Sequence, residues 1–166
     1  MKWILLLPAL ASLVLASWGC TEKPRQNSDS VEENGIEYYL ETDKSSYRLG
    51  ESVSILYRIT NKTDELKELG TVYNCESCIR QLQITSNGEV IWKSCRVPPP
   101  CGHKTFRLNP HESWEHTEVW NMINDNGTLE PDDDFSVVPG VYIVTSETGF
   151  SGENTRRPLS VSIEVK

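Results

Sequence analysis

Apolar and polar residues alternate strictly through much of this chain. Ile36, Tyr38 and Leu40 fall on one parity in "GIEYYLET", and Val53, Ile55, Tyr57 and Ile59 do so in "SVSILYRIT". Trp114, Trp120 and Met122 share a parity across "WEHTEVWNM", and Leu159, Val161, Ile163 and Val165 repeat it in "LSVSIEV". A repeat of two gathers such residues on one side of a strand, whereas a helix would scatter them around its axis. They are β-branched or aromatic, types that suit a pleated face. "VYIVTS", after Pro139-Gly140, is a further strand.

Turn chemistry separates these stretches. Leu49-Gly50, Asn61-Lys62, Asn87-Gly88, Asn126-Gly127 and Pro139-Gly140 lie between strand candidates. Asn87-Gly88 is the sharpest signal, because a type I′ hairpin turn needs positive φ at both central residues. No segment has a helical period. The expected fold is all-β, an immunoglobulin-like antiparallel β-sandwich of about seven to nine strands. It should occupy residues 35–166 as one domain.

The first twenty residues, "MKWILLLPALASLVLASWGC", differ in kind. A Lys, an apolar run and small residues have the order of an export signal, and the run is too short for a good membrane span. "SWGC" looks like a bacterial lipobox, with Ser17 where Leu is usual. Five cysteines leave one over if the rest pair, and lipidation of Cys20 would account for it. Residues 1–19 are therefore expected to be a signal peptide. Residues 20–34 should be a lipidated Cys and a disordered tether, since "TEKPRQNSDSVEEN" holds one aliphatic residue, Val31. The expected location is the cell envelope, lipid-anchored to a bacterial membrane; the alternative is secretion. A net charge of −8 without a basic cluster argues against nucleic acid as a partner.

The other four cysteines crowd into "NCESCIRQLQITSNGEVIWKSCRVPPPCGH". With Asn87-Gly88 as a two-residue turn, Ile84 faces Ile91, Leu82 faces Lys93 and Arg80 faces Cys95. Cys78 and Cys95 then lie diagonally on one face, about 7 Å apart at Cβ before any tightening. Cys75 and Cys101 fall outside this ladder and suit an outer bridge. The nested pairing, Cys78–Cys95 with Cys75–Cys101, is the first expectation. The sequential pairing is the next, and three connectivities stay open. The second half of the cluster has the wrong spacing for zinc, and export disfavours free thiols. "CESC" precedes a strand instead of opening a helix, so a redox pair is not expected. "HESWEH" places two histidines five apart, unlike the zinc-protease helix motif; they read as loop and strand surface. "EPDDDF" reads as a solvated acidic loop. No metal, cofactor or catalytic set is expected, and the chain is not read as an enzyme.

Four stretches, in order, resemble the BsuPI-type intracellular proteinase inhibitor domain family, an immunoglobulin-like β-sandwich family of bacteria. "YRLGESVSILYRITNKTDE" is similar to its early strand pair, and "SNGEVIWKS" to its hairpin with a Val-x-Trp-x-Ser second strand. "LNPHESWEHTEVWN" is similar to its Leu-x-Pro-Gly-Glu turn and Trp strand, with His111 in place of Gly. "VVPGVYIVTSE" is similar to its Pro-Gly-x-Tyr strand. The resemblance covers about Ile36 to Glu147 and implies a non-catalytic domain that binds a protein partner, such as a protease. The cysteine cluster and the export signal depart from the family pattern. Within "CRVPPPCGHK", Arg96, Val97 and Pro98 are the candidate contact loop. Three prolines would stiffen it, although a plain connector between sheets would look the same. The alternative function is a structural or accessory domain of the cell envelope.

Overall fold

The computed structural model describes residues 27–73, 81–94, 103–125, 135–147 and 158–166. Thirteen strands run through them, three of only two residues. They are β1 (Asn27–Glu33), β2 (Ile36–Thr42), β3 (Ser46–Tyr47), β4 (Val53–Asn61), β5 (Lys67–Tyr73), β6 (Gln81–Ser86) and β7 (Glu89–Lys93). Then follow β8 (His103–Leu108), β9 (Ser113–Trp120), β10 (Ile123–Asn124), β11 (Phe135–Ser136), β12 (Gly140–Glu147) and β13 (Leu159–Val165).

The alternation in sequence becomes alternation in burial. β2, β4 and β13 bury every second residue along their length. Each apolar side chain so buried contributes about 1.5–3 kcal/mol relative to exposure. The buried faces belong to two sheets, ordered β1-β2-β4-β9 and β3-β13-β12-β6-β7, and they merge into one core cluster. Trp120 of β9 and Tyr142 of β12 meet across the layers with ring centroids 5.4 Å apart. The pairing β2-β4-β9 against β13-β12-β6-β7 is the immunoglobulin arrangement of A-B-E against G-F-C-C′. Tyr142 adds a tyrosine corner: its hydroxyl, near the start of β12, donates to Val138 O at 2.6 Å. β5 and β8 form a separate two-stranded ribbon.

Residues 27–34 are not a tether. β1 pairs along its whole length with β2, through a turn in which Asn34 and Gly35 both take positive φ. Only Gly fits at 35, because a Cβ there would lie 2.3 Å from Thr63 Cγ2. β1 buries little, but its polar side chains reach β13. Asn27 Nδ2 donates to Ser162 O at 2.8 Å, and Asp29 Oδ2 accepts from Ser160 N at 3.0 Å. Hydrogen bonding, which the hydrophobic pattern does not register, makes this segment a strand. The signal peptide at 1–19 and Cys20 lie outside the described residues.

The β6–β7 hairpin turns at Asn87-Gly88, as expected, with φ of 52° and 86°. Its register does not follow the simple count. Thr85 pairs with Val90, but Ile84 pairs with Trp92, so Ile91 is an inserted β-bulge residue. The bulge lets Ile91 and Trp92, adjacent in sequence, both turn inward. The expected facing pairs Ile84 with Ile91 and Leu82 with Lys93 are therefore replaced by Ile84 with Trp92 and Gln83 with Lys93.

The registers also define two ends. Asn27, Thr42, Val53, Trp120 and Gly140 lie at one end. The Asn34-Gly35 turn, Asn61, Ser113, Gln81 and Glu147 lie at the other.

Candidate functional site

Cys75, Cys78, Cys95 and Cys101, with Arg96, Val97 and Pro98, lie outside the described residues. What the structure gives is the frame they attach to. β5 and β8 run antiparallel up to Tyr73 and His103, and β6 and β7 run antiparallel from Gln83 and Lys93 onward. Ser94, the last described residue before Cys95, is fixed to Leu82 twice. Its main-chain N donates to Leu82 O at 2.9 Å, and its Oγ accepts from Leu82 N at 3.1 Å. Tyr73↔His103 and Gln83↔Lys93 obey one common offset. The segments 74–82 and 94–102 are thus equal in length between matched ends.

The ribbon that carries these segments is tied to the sandwich by Asn61. This residue ends β4 and is fully buried. Its Nδ2 donates to the main-chain carbonyls of Glu65, Leu108 and Asn109, at 2.7, 3.2 and 2.9 Å. Its Oδ1 accepts from Thr63 N and Thr63 Oγ1 at 3.0 and 2.8 Å. One amide thus holds together the end of β4, the approach to β5 and the end of β8.

"HESWEH" is split. His111 is exposed in the turn before β9, with Nε2 2.8 Å from Asp64 Oδ1. His111 has φ of 58°, a conformation usual for glycine and tolerated by few side chains. His116, expected on the strand surface, is half-buried. It shares the inward parity of Trp114 and Trp120, stacks on Trp114 at 6.2 Å, and lies 2.9 Å from Glu118 Oε1. Only 23% of the His116 side chain and 21% of the Glu118 side chain are exposed. Trp114 also meets Phe106 of the ribbon edge-on at 5.7 Å. The parity that groups Trp114 with Trp120 in the sequence includes His116 and Glu118, and that was the available signal.

Elsewhere, Tyr47 is buried and donates its hydroxyl proton to Asp43 Oδ1 at 2.7 Å. Burial first, then that carboxylate, raises its pKa far above the ordinary tyrosine range. An open groove of about 190 Å³ lies by the Asn87-Gly88 turn, lined by Ser86, Glu89, Ile91, Asn124, Val137 and Tyr142 among others. Among the described residues no three His, Cys, Asp or Glu side chains form a metal-ligand set.

Neither family models nor curated protein sequences give a match to this chain. Among solved structures, a β-glucosidase from Listeria innocua in complex with glucose aligns at TM-score 0.43 and 16% identity, covering 81% of this chain and 17% of the glucosidase. The Pseudomonas fluorescens alkylpurine DNA glycosylase AlkC aligns at TM-score 0.42 and 14% identity, covering 84% of this chain and 30% of AlkC. The CARDB domain of PF1109 from Pyrococcus furiosus aligns at TM-score 0.37 and 10% identity, covering 84% of this chain and 94% of that one. The chain thus spans less than a third of the two enzymes it resembles, and at these scores the likeness carries no conclusion.

Proposed function

We propose that this chain is a membrane-anchored bacterial lipoprotein whose non-catalytic, proteinase-inhibitor-like β-sandwich binds a protein partner. The observation that carries the reading is the opposition of the two ends. Asn27, the described residue nearest Cys20 in the chain, enters at one end, while Gln81 and Ser94 lie at the other. A lipid on Cys20 would then hold the first end toward the membrane and direct the segment with Arg96, Val97 and Pro98 away from it. Because β1 begins at Asn27, residues 21–26 alone join Cys20 to the sandwich. Even fully extended they reach roughly 20 Å.

A contact loop rooted at both ends in β ladders is preorganised, which lowers the entropy cost of docking. The proposed staples keep the nested pairing, Cys75–Cys101 outside Cys78–Cys95. Cys75 stands two residues after Tyr73, and Cys101 two residues before His103, which pair with each other. The resemblance to the BsuPI-type family gains support at His111, whose positive φ occurs where that family has Gly.

An inhibition screen across serine and cysteine proteases, comparing wild type with Arg96→Ala, tests the inhibitor reading. Inhibition that weakens in the variant is expected. Flat results across both classes would leave the structural or accessory envelope reading. Alkylation of the unreduced protein followed by mass measurement tests the staples: no modified cysteine is expected, and peptide mapping should join Cys75 to Cys101. For the anchor, Cys20→Ala should move the protein from the membrane to the soluble fraction.

A further inference from the structure

Among the described residues the four-stranded sheet ends at β9, an edge that has the form of a strand-addition site. Among the described residues no strand pairs with β9 on the side away from β4. The hydrogen bond from Asn61 N to Glu112 O, at 2.9 Å, fixes the phase of the β4–β9 ladder. Main-chain groups alternate sides along an antiparallel strand. Trp114, His116, Glu118 and Trp120 therefore turn theirs toward β4, and Ser113, Glu115, Thr117 and Val119 turn theirs outward. In the four-stranded immunoglobulin sheet this position beside strand E belongs to strand D.

We propose that the edge of β9 takes up an extended, basic segment of a partner protein as an added strand. The surface chemistry sets the kind of segment. Glu115 stands on the outer face of the edge with 53% of its side chain exposed, and is shared only loosely with Arg58 at 3.5 Å. The chain as a whole carries a charge of −8, so a second copy is repelled and a basic segment is attracted. The inner face offers half-buried Trp114 beside His116 and Glu118. A segment that alternates basic and apolar residues would set Lys or Arg near Glu115 and an apolar side chain near Trp114. Main-chain bonds would supply affinity, and these side chains the selectivity.

This inference rests on reading the chain as a protein-binding module, and its test separates the two. The probe is a synthetic eight-residue peptide of alternating valine and lysine. Amide hydrogen exchange of the purified chain is followed residue by residue with and without the peptide. At a peptide concentration ten times the Kd, the outward amides of Glu115, Thr117 and Val119 should slow by about tenfold, with those of Trp114 and His116 unchanged. Thr117→Pro should abolish the effect. Its N–H faces outward, so proline removes no bond to β4 and the fold should persist. Glu115→Lys, which leaves the backbone intact, should weaken binding of the same peptide at least tenfold. No slowing at saturating peptide, slowing elsewhere, or equal slowing in Thr117→Pro overturns the proposal. Slowing of these amides with rising protein concentration alone would assign the edge to a second copy and also overturn it. A partner captured equally by wild type and Thr117→Pro would refute the edge and leave the binding module standing.

Discussion

Asn61→Ala should be among the most damaging single changes in this domain. The side chain is fully buried and makes five contacts at hydrogen-bond distance. An amide has two protons, so the three carbonyls share two full donor bonds, and Oδ1 accepts two more. Each bond nets about 1 kcal/mol, and buried groups left unpaired add to the loss. Water can reach part of the site, since Glu65 and Asn109 are exposed. A loss of about 3 kcal/mol follows, which for a domain of this size lowers Tm by roughly 10 °C. Urea denaturation followed by tryptophan fluorescence, with the disulfide state held constant, measures it. Thr63→Val removes one of the two bonds to Asn61 Oδ1, together with longer, exposed contacts to the Glu65 main chain, and should cost about 1–2 kcal/mol. Asn61→Asp is the sharper control. It keeps the acceptor for Thr63, loses the donors, and sets a carboxylate against three carbonyls. It should be at least as unstable as Asn61→Ala at neutral pH. Those carbonyls raise the folded-state pKa of the new carboxyl, so its penalty should shrink as pH falls. An Asn61→Asp protein as stable as wild type at neutral pH, or an Asn61→Ala loss below about 1 kcal/mol, would refute the donor account.

Four other outcomes are expected. Tyr142→Phe should cost about 1 kcal/mol by urea midpoint, because Val138 O loses its donor. The Tyr47 phenol is held protonated in the fold by burial and Asp43, so its stabilising effect is complete below the ordinary tyrosine pKa and lost as pH rises above it. In an alkaline titration at 295 nm Tyr47 should therefore ionise only with unfolding, as the difference between wild type and Tyr47→Phe; a Tyr47 signal that ionises before unfolding would contradict this. His111→Gly should stabilise by about 1 kcal/mol in thermal melts, by relieving a side chain at positive φ. The ion pair with Asp64 is exposed and its loss should cost little. A chain begun at Gly35 loses β1 and its two bonds to β13, and should be less stable than the full chain by about 2–3 kcal/mol in urea. Equal midpoints would restore residues 27–34 to the role of tether.

The strands that bury one whole face were legible because the hydrophobic effect writes itself as a period of two. Val53 to Ile59 and Leu159 to Val165 are buried as their parity says. Four kinds of feature were not legible in that way. β1 is a strand for reasons of hydrogen bonding, and its only local sign was Asn34-Gly35, the same dipeptide that marks the β6–β7 turn. The bulge at Ile91 follows from three successive apolar residues, Val90, Ile91 and Trp92, which break alternation. The pairing of β5 with β8 joins segments far apart in sequence, and neither strand advertises its partner. Asn61 heads an "NKT" sequon, yet its amide is spent inside the protein on carbonyls that no local pattern identifies. The candidate contact residues and cysteines lie outside the described residues, so for them the structure speaks only through the strands that flank them.

The two outer edges of the four-stranded sheet are finished by different chemistry, and the difference bears on function. On one side β1 lends Asn27 and Asp29 to main-chain groups of β13, an amide to the carbonyl of Ser162 and a carboxylate to the N–H of Ser160. Short polar side chains replace a ladder there, and the gap between the sheets is bridged. On the other side β9 turns a carboxylate and an imidazole inward and a second carboxylate outward. Inward charge on an edge strand blocks flat apolar addition, because an uncharged strand would bury it without compensation. It does not block a strand that brings the opposite charge. An edge built only for solubility would be indifferent to the sign of its charges. This edge belongs to an acidic chain and carries acid near its centre, so on the proposal above its sign would select among partners, disfavouring the chain's own copies and favouring a basic segment.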